Sequence, residues 1–541
     1  MIDLLNGKNV RLVKNHKGKR IFLPPVMLWI PAALVVAVII FPIGYLILST
    51  IGSGTEVFEI LFRSRTFAIL ARSLLLVVAV SVGSILIAVP IGWLTVRTDL
   101  PFRRVFSVMT VLPLVIPSYV GGFVFVAVLG PKGMLQQLLD PFGVERFPDL
   151  LGFPGAMLTL TLLTYPYVLL PVRAALSRLD QSLDETSHSL GKDSTQTFMG
   201  VTLPMLRPAI ASGSLLVALY TLSDFGAVSL LQYETFTWAI YVQYGNFARD
   251  VAASLSLVLL IVAITILMME IWTRGKASYY SNATGVDRPQ RLVKLGNWRW
   301  VATLFCGIVV VSSLLIPLTV LINWVTRGVS SGEQVSILWS HLGNAVYVSG
   351  FAAVIVVLVS IPIVIISVRY PGRISSLLEK CSYMGFALPG IVVALAIVFF
   401  GVRYATSLYQ TIALLIFSYL ILFLPTALGN IKTSLLQVNP VIEEAARSLG
   451  RSPIQAFITV TLPLLIPGIL AGLIMVFMLT MKELPATLIL SPIGFKTLAT
   501  SIWWATEDAF FAKAAVSSLL LISASFVPMA LLVWLGRKEV S

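Results

Sequence analysis

Apolar runs of about 20 residues recur along this 541-residue chain, and nothing else in the sequence constrains its fold so strongly. A bilayer's hydrocarbon core is about 30 Å thick, so each run is long enough to cross it as a helix, with its backbone polar groups satisfied internally. Six runs fall near residues 26–51, 74–96, 106–129, 154–176, 208–231 and 251–272. A polar, basic stretch follows, and six more runs fall near 300–325, 346–368, 381–402, 411–431, 466–490 and 514–535. The expected fold is an all-α polytopic membrane protein of about twelve transmembrane helices. Composition agrees, since 57% of residues are hydrophobic and only 11% charged, against about one quarter charged in a soluble domain.

The net charge of +14 would raise nucleic-acid binding in a soluble protein, but here the basic residues sit in short loops between apolar runs and no nucleic-acid partner is expected. Arg97, Arg103 and Arg104, then Arg274, Lys276, Arg288, Arg291 and Lys294, then Arg369, Arg373 and Lys380, then Arg537 and Lys538 all fall on one side of the predicted membrane. By the positive-inside rule that side is cytoplasmic, as are both termini, in a multi-pass membrane protein surrounded by lipid. Six basic residues precede the first run, which lacks a small-residue cleavage pattern and is expected to stay as an anchor. Cys306 and Cys381 lie in or beside apolar runs and read as packing residues. Neither they nor His16, His188 and His341 form a catalytic or metal-binding spacing, so neither an enzyme nor a cofactor is expected.

An internal repeat carries more information than the span count. Residues 185–213 and 444–472 match at a constant offset of 259, with 14 of 29 positions identical. The shared set includes Glu185 with Glu444, Leu190 with Leu449, Gly191 with Gly450, the run from Val201 to Pro204 with that from Val460 to Pro463, and Pro208 with Pro467. Upstream, Pro90 and Val96-Arg97 match Pro362 and Val368-Arg369 at an offset of 272. The expected organisation is a first half over 1–272, a cytoplasmic linker over 273–298 and a second half over 299–541. Six spans per half is an even number, so the halves form parallel repeats about an axis along the membrane normal. Small residues four apart, Ala209 with Gly213 and Gly468 with Gly472, predict close helix contacts.

Between the fourth and fifth runs of each half lies a loop with the pattern Glu-x5-Gly-x9-Val-x-Leu-Pro. In the second half it reads Glu444-Ala445-Ala446-Arg447-Ser448-Leu449-Gly450 and continues to Leu462-Pro463. The pattern predicts a short amphipathic helix, a glycine turn and a second helix, with proline marking the return into the membrane. Here the sequence resembles the membrane subunits of ATP-binding-cassette importers of the type I kind, whose "EAA" loop docks into a cleft on the ATPase. The first copy departs from that pattern, with Thr186 and Ser187 in place of the alanines, but keeps Glu185, Gly191, Leu203 and Pro204. The resemblance implies two separate ATPase subunits and an extracytoplasmic solute-binding protein as partners. The chain itself has no phosphate-cradling loop, since Gly191-Lys192-Asp193 lacks both the glycine spacing and the Ser/Thr after lysine. A major-facilitator carrier also has twelve spans in parallel halves, but it leaves the duplicated loops unexplained.

Carboxylates inside spans are expensive and mark candidate cargo pathways. Asp224, in Ser223-Asp224-Phe225-Gly226, matches Glu483, in Lys482-Glu483-Leu484-Pro485, late in the fifth run of each half. The repeat axis would place them across a pathway toward the outer face; the competing readings are that Asp224 caps a helix break and that Glu483 neutralises Lys482. Tyr233, Glu234, Tyr241, Tyr244, Trp503, Trp504, Glu507 and Asp508 follow them in sequence and offer oxygen ligands or interfacial aromatics. These motifs and the fused layout look like the ferric-iron importers of the superfamily. Carboxylate and phenolate oxygens suit a hard cation, here as transient ligands at Asp224 and Glu483 and not as a stable metal site. Permeases for thiamine, polyamines or other organic cations are the alternative.

Overall fold

The computed structural model describes residues 12–14, 20–22, 26–52, 59, 62–130, 133–142, 150–179, 186–187, 189–274, 292–333 and 338–538. In chain order the main helices of the first half are α1 (Val26–Gly52), α2 (Ser64–Arg97), α3 (Arg103–Met109), α4 (Ser118–Leu129), α5 (Phe153–Arg178), α6 (Leu203–Ser223), α7 (Gly226–Leu230), α8 (Phe236–Gly245) and α9 (Arg249–Arg274). The second half has α10 (Trp298–Ser330), α11 (Trp339–Arg369), α12 (Arg373–Tyr383), α13 (Gly390–Tyr404), α14 (Ile412–Gln437), α15 (Pro440–Ser448), α16 (Leu462–Met481), α17 (Pro485–Leu490), α18 (Leu498–Glu507) and α19 (Phe511–Lys538). A short antiparallel pair, Leu12–Lys14 with Arg20–Phe22, precedes α1. Among the described residues eleven helices are long and apolar enough to cross a membrane, and α13 is a shorter apolar helix beside them.

Two runs that read as single spans are broken in the same way. The run near 106–129 is α3, a 3-10 turn Leu112–Val115 and then α4; the run near 381–402 is α12, a 3-10 turn Met384–Ala387 and then α13. The cause is proline: Pro117 in the first half and Pro389 in the second each remove a backbone donor and hold the residue before them, Ile116 and Leu388, in extended geometry, while Pro113 sits at the start of the first 3-10 turn. The fifth run also differs from its apolar limits: its helix begins at Leu203 in one half and Leu462 in the other, and ends at Ser223 and Met481. Each is preceded by one π-helical turn, Phe198–Thr202 and Phe457–Thr461.

The chain forms two compact units, each drawing on both sequence halves. One holds residues 1–54, 338–501 and 520–541; the other holds 55–337 and 502–519. In the first unit α1 packs on α11, α12 and α13, and Ala32, Val35, Val36 and Ile39 share a core with Ala353, Val356, Val357, Leu424 and Leu428. In the second unit Cys306 and Val309 of α10 join a core with Leu160, Tyr165, Val168 and Leu169 of α5. The leading helix of each half is thus exchanged. Cys306 is fully buried and Cys381 partly so, both as free thiols packed among apolar neighbours.

Inside each unit the fourth and fifth spans lie in close contact, as the small residues predicted. Gly213 of α6 abuts Val168 of α5, and a Cβ there would stand 2.6 Å from the Val168 Cα. Its repeat partner Gly472 faces Ala427 of α14, the equivalent of Val168, with 3.6 Å to the Cα.

Candidate functional site

The second loop folds as its pattern predicts. Asn439 caps α15, its Oδ1 accepting the Val441 N–H at 3.1 Å, and Pro440 occupies the first helical position, where its missing donor costs nothing. Gly450 ends the helix at φ +88°, a left-handed geometry that a side chain would strain. A capping box between Ser452 and Gln455 starts the next helix, which runs through the π turn into α16 with Leu462-Pro463 at its start. In the first loop Gly191 takes the same left-handed conformation at φ +79°, and Leu203-Pro204 opens α6 in the same way. Glu185 and His188 lie outside the described residues.

The departure of the first loop from the alanine pattern is compensated. Ser187 and Thr197 are buried and their hydroxyl oxygens are 2.9 Å apart; at the equivalent positions the second loop buries Ala446 and Ala456. A hydrogen-bonded pair in one half replaces an apolar pair in the other. Removing one hydroxyl strands its partner, whereas removing both leaves nothing unsatisfied. Ser187→Ala alone is therefore expected to lower unfolding stability by about 1 kcal/mol or more, and Ser187→Ala with Thr197→Ala by clearly less. A double-mutant cycle on thermal melting in detergent reads the difference; additive losses would contradict it.

Both loops present apolar side chains to the outside of their unit. Leu190 is 75% exposed and Leu449 85% exposed, each directly before its left-handed glycine. Val441, Ile442, Glu444 and Ala445 are exposed beside Leu449, whereas Ala446 is buried. Beneath each loop an arginine from the end of the second span binds the carbonyl that ends the fourth. Arg97 donates to the Leu179 carbonyl at 2.8 Å and Arg369 to that of Val438 at 3.3 Å. In the first half the segment just before α10 is fastened to the same place: Val293 N–H donates to the Arg97 carbonyl at 2.8 Å, and Leu295 N–H to Asp99 Oδ1, also at 2.8 Å. Pro371 stands where Asp99 would be in the second half, and it lacks both the N–H and the carboxylate.

Asp224 and Glu483 occupy matching breaks in their own units. Asp224 ends α6 and turns its carboxylate onto the start of α7, Oδ2 accepting the N–H groups of Ala227 at 3.1 Å and Val228 at 3.3 Å. The hydroxyl of Ser118, at the start of α4, bonds the same carboxylate. Glu483 accepts the Ala486 N–H at 2.9 Å, at the start of α17. Gly390 at the start of α13 replaces Ser118, and a Cβ there would stand 2.6 Å from Glu483 Oε1. The longer acid is matched by the smaller neighbour. Each carboxylate thus caps a helix break, the plainer of the two readings for Asp224, and Asp224 is 6% exposed.

Tyr233 and Glu234 are held by α2. Glu234 pairs with Arg65 at 2.9 Å and Arg72 at 2.7 Å, one through each oxygen, and the Tyr233 hydroxyl donates to the Arg72 carbonyl at 3.0 Å. Their oxygens are thereby committed to protein partners. Burial raises the Tyr233 phenol above its ordinary pKa, and the Arg72 guanidinium partly offsets the rise. Phe225, next to Asp224, packs at a tilt against Trp503 and Tyr241, at 4.8 and 4.7 Å between ring centres. Among the described residues no cluster of three or more His, Cys, Asp or Glu could hold a metal ion.

Two stretches of the chain, 88–274 and 360–540, match the family model of the binding-protein-dependent transport system inner membrane component. The chain belongs to that family. As an inner membrane component of such a system it carries the family domain twice, so the duplication read from the loops spans both halves. It is 37% identical over 514 residues to the Fe(3+)-transport system permease protein FbpB 2 of Haemophilus influenzae, covering 94% of this chain and 98% of that one. The Ferric transport system permease protein FbpB of Actinobacillus pleuropneumoniae is 25% identical over 86% of this chain and 71% of its own. A probable molybdenum ABC transporter permease protein of Haloferax volcanii is 29% identical over 42% of this chain and 82% of its own, the length of a single half.

Proposed function

We propose that this chain is the fused permease subunit of an ATP-driven ferric-iron importer, with halves over 1–272 and 299–541 and a cytoplasmic linker over 273–298. Both termini face the cytoplasm, two separate ATPase subunits hydrolyse ATP, and an extracytoplasmic solute-binding protein delivers the cargo. The observation that carries the reading is the pair of loops that expose Leu190 and Leu449 at matching positions, each directly before a left-handed glycine. In the second loop Val441, Ile442 and Leu449 are exposed together, and a groove on an ATPase subunit is the cover such an apolar group fits. Closure of the ATPases pushes on the loops, and the arginine contacts at Leu179 and Val438 carry the push into the second and fourth spans. Iron is favoured by the names of two relatives and by the carboxylates Asp224 and Glu483, which supply hard oxygen donors.

Replacing Leu190 and Leu449 together by aspartate is expected to abolish co-purification of the ATPase subunits and iron uptake, with the permease still folded. Replacing Glu185 and Glu444 together by alanine is expected to weaken coupling without unfolding. Unchanged ATPase association and uptake in the leucine variant would overturn the docking reading. Iron retained by the solute-binding protein that stimulates the ATPase would establish the cargo; another ligand there would replace it.

A further inference from the structure

Of the adjacent acids on α15, Glu444 is exposed while the Glu443 side chain is only 27% exposed and turned back toward its own unit. Its Oε2 accepts the Thr461 hydroxyl at 3.2 Å and lies 3.8 Å from Nη2 of Arg369, whose side chain is 16% exposed. Thr461 is the last residue of the π turn that leads into α16; Arg369 is the last residue of α11; Val438, whose carbonyl Arg369 also binds, caps α14. One carboxylate thus connects the loop helix with the ends of three spans.

A helix of nine residues does not hold its own orientation, because so short a helix is marginal without tertiary contacts. Glu443 and Ala446, three residues apart, share the face of α15 that is less exposed, and Glu443 supplies its polar fixing point. Tyr370 lies at the same node: burial raises its phenol above the ordinary pKa, with the Glu443 carboxylate adding to the rise and Arg447 opposing it. In the first half Asp184 stands at the equivalent of Glu443, outside the described residues, while Thr202 and Arg97 match Thr461 and Arg369.

We propose that Glu443 is a positioning residue: with Arg369 and Thr461 it latches the second docking helix to the spans, and its neighbour Glu444 is left to the ATPase. The inference rests on the docking reading given above. It divides the acidic pair by role, one member transmitting the push and the other receiving it. A partly buried ion pair at this separation is worth up to about 1 kcal/mol, a factor of about five in a coupled equilibrium.

The test uses the complete transporter, permease with ATPases and binding protein, in proteoliposomes. Glu443→Gln is expected to lower cargo imported per ATP hydrolysed about fivefold while the ATPase subunits remain bound, Arg369→Gln at least as much because it also loses the Val438 contact, and the double variant no more than Arg369→Gln alone. Spin labels placed at Ser448 and Ser376 in the permease alone report the latch directly, and Glu443→Gln is expected to broaden their distance distribution. An unchanged distribution, or an unchanged ratio of import to hydrolysis, overturns the latch. Loss of ATPase binding in Glu443→Gln overturns it differently, by moving Glu443 into the ATPase contact. Failure of the docking reading is separately visible as retained ATPase binding in the leucine variant.

Discussion

Alanine at position 213 is expected to cripple assembly of the permease, whereas alanine at position 472 is expected to pass almost unnoticed. The two glycines are repeat partners and make the same contact, fifth span against fourth, so the prediction isolates distance from chemistry. At Gly213 a new methyl would stand 2.6 Å from the Val168 Cα and 2.9 Å from the Tyr167 carbonyl oxygen, both backbone atoms that cannot rotate away. At Gly472 its nearest neighbours would be the Ala427 Cα at 3.6 Å and carbonyl oxygen at 3.7 Å, ordinary van der Waals contact. Overpacking a tight core costs about 1–3 kcal/mol and sometimes more, and in a membrane the spans have little besides close packing and hydrogen bonds to hold them together. Gly213→Ala should therefore lower the melting temperature in detergent by several degrees and reduce the monodisperse yield; Gly472→Ala should leave both near wild type. Equal losses at the two sites would mean that the halves pack more alike than these distances indicate.

Much of this architecture was legible in the sequence because a bilayer leaves few choices. A run of 20 apolar residues becomes a helix, and a repeated loop with glycine and proline at fixed offsets keeps its turn and helix start. Gly191 and Gly450 were identifiable from spacing alone, and both adopt the left-handed conformation that only glycine takes easily. Helix interruptions were less legible, because Pro113, Pro117 and Pro389 sit inside apolar stretches where hydropathy runs on regardless of backbone geometry. The exchange of α1 and α10 was not legible at all. Hydrophobic periodicity tells that a helix has a buried face but not which neighbour buries it. Arg97 and Arg369 were visible as repeat partners, yet charge counting assigned them only to orientation; their carbonyl contacts depend on chain segments about 70 to 80 residues away. Glu443 was hidden beside Glu444 because the loop pattern does not distinguish the inner from the outer face of a nine-residue helix.

A large effect on transport is also expected from the acids at the helix breaks, and amides separate their two roles. Asparagine at 224 and glutamine at 483 each keep a carbonyl oxygen, so the N–H groups of Ala227, Val228 and Ala486 retain an acceptor and the breaks stay capped. What the amides remove is charge. If these carboxylates served only as caps, the double amide variant would transport like wild type. If a cationic cargo passes them, losing both charges in a low-dielectric setting should cost more than 1.4 kcal/mol of transition-state stabilisation, or at least about tenfold in uptake. We expect the tenfold loss with an unaltered melting temperature. Asp224→Ala provides the contrast, because it strands two buried N–H groups at about 1–3 kcal/mol each and should fail in stability before transport can be read.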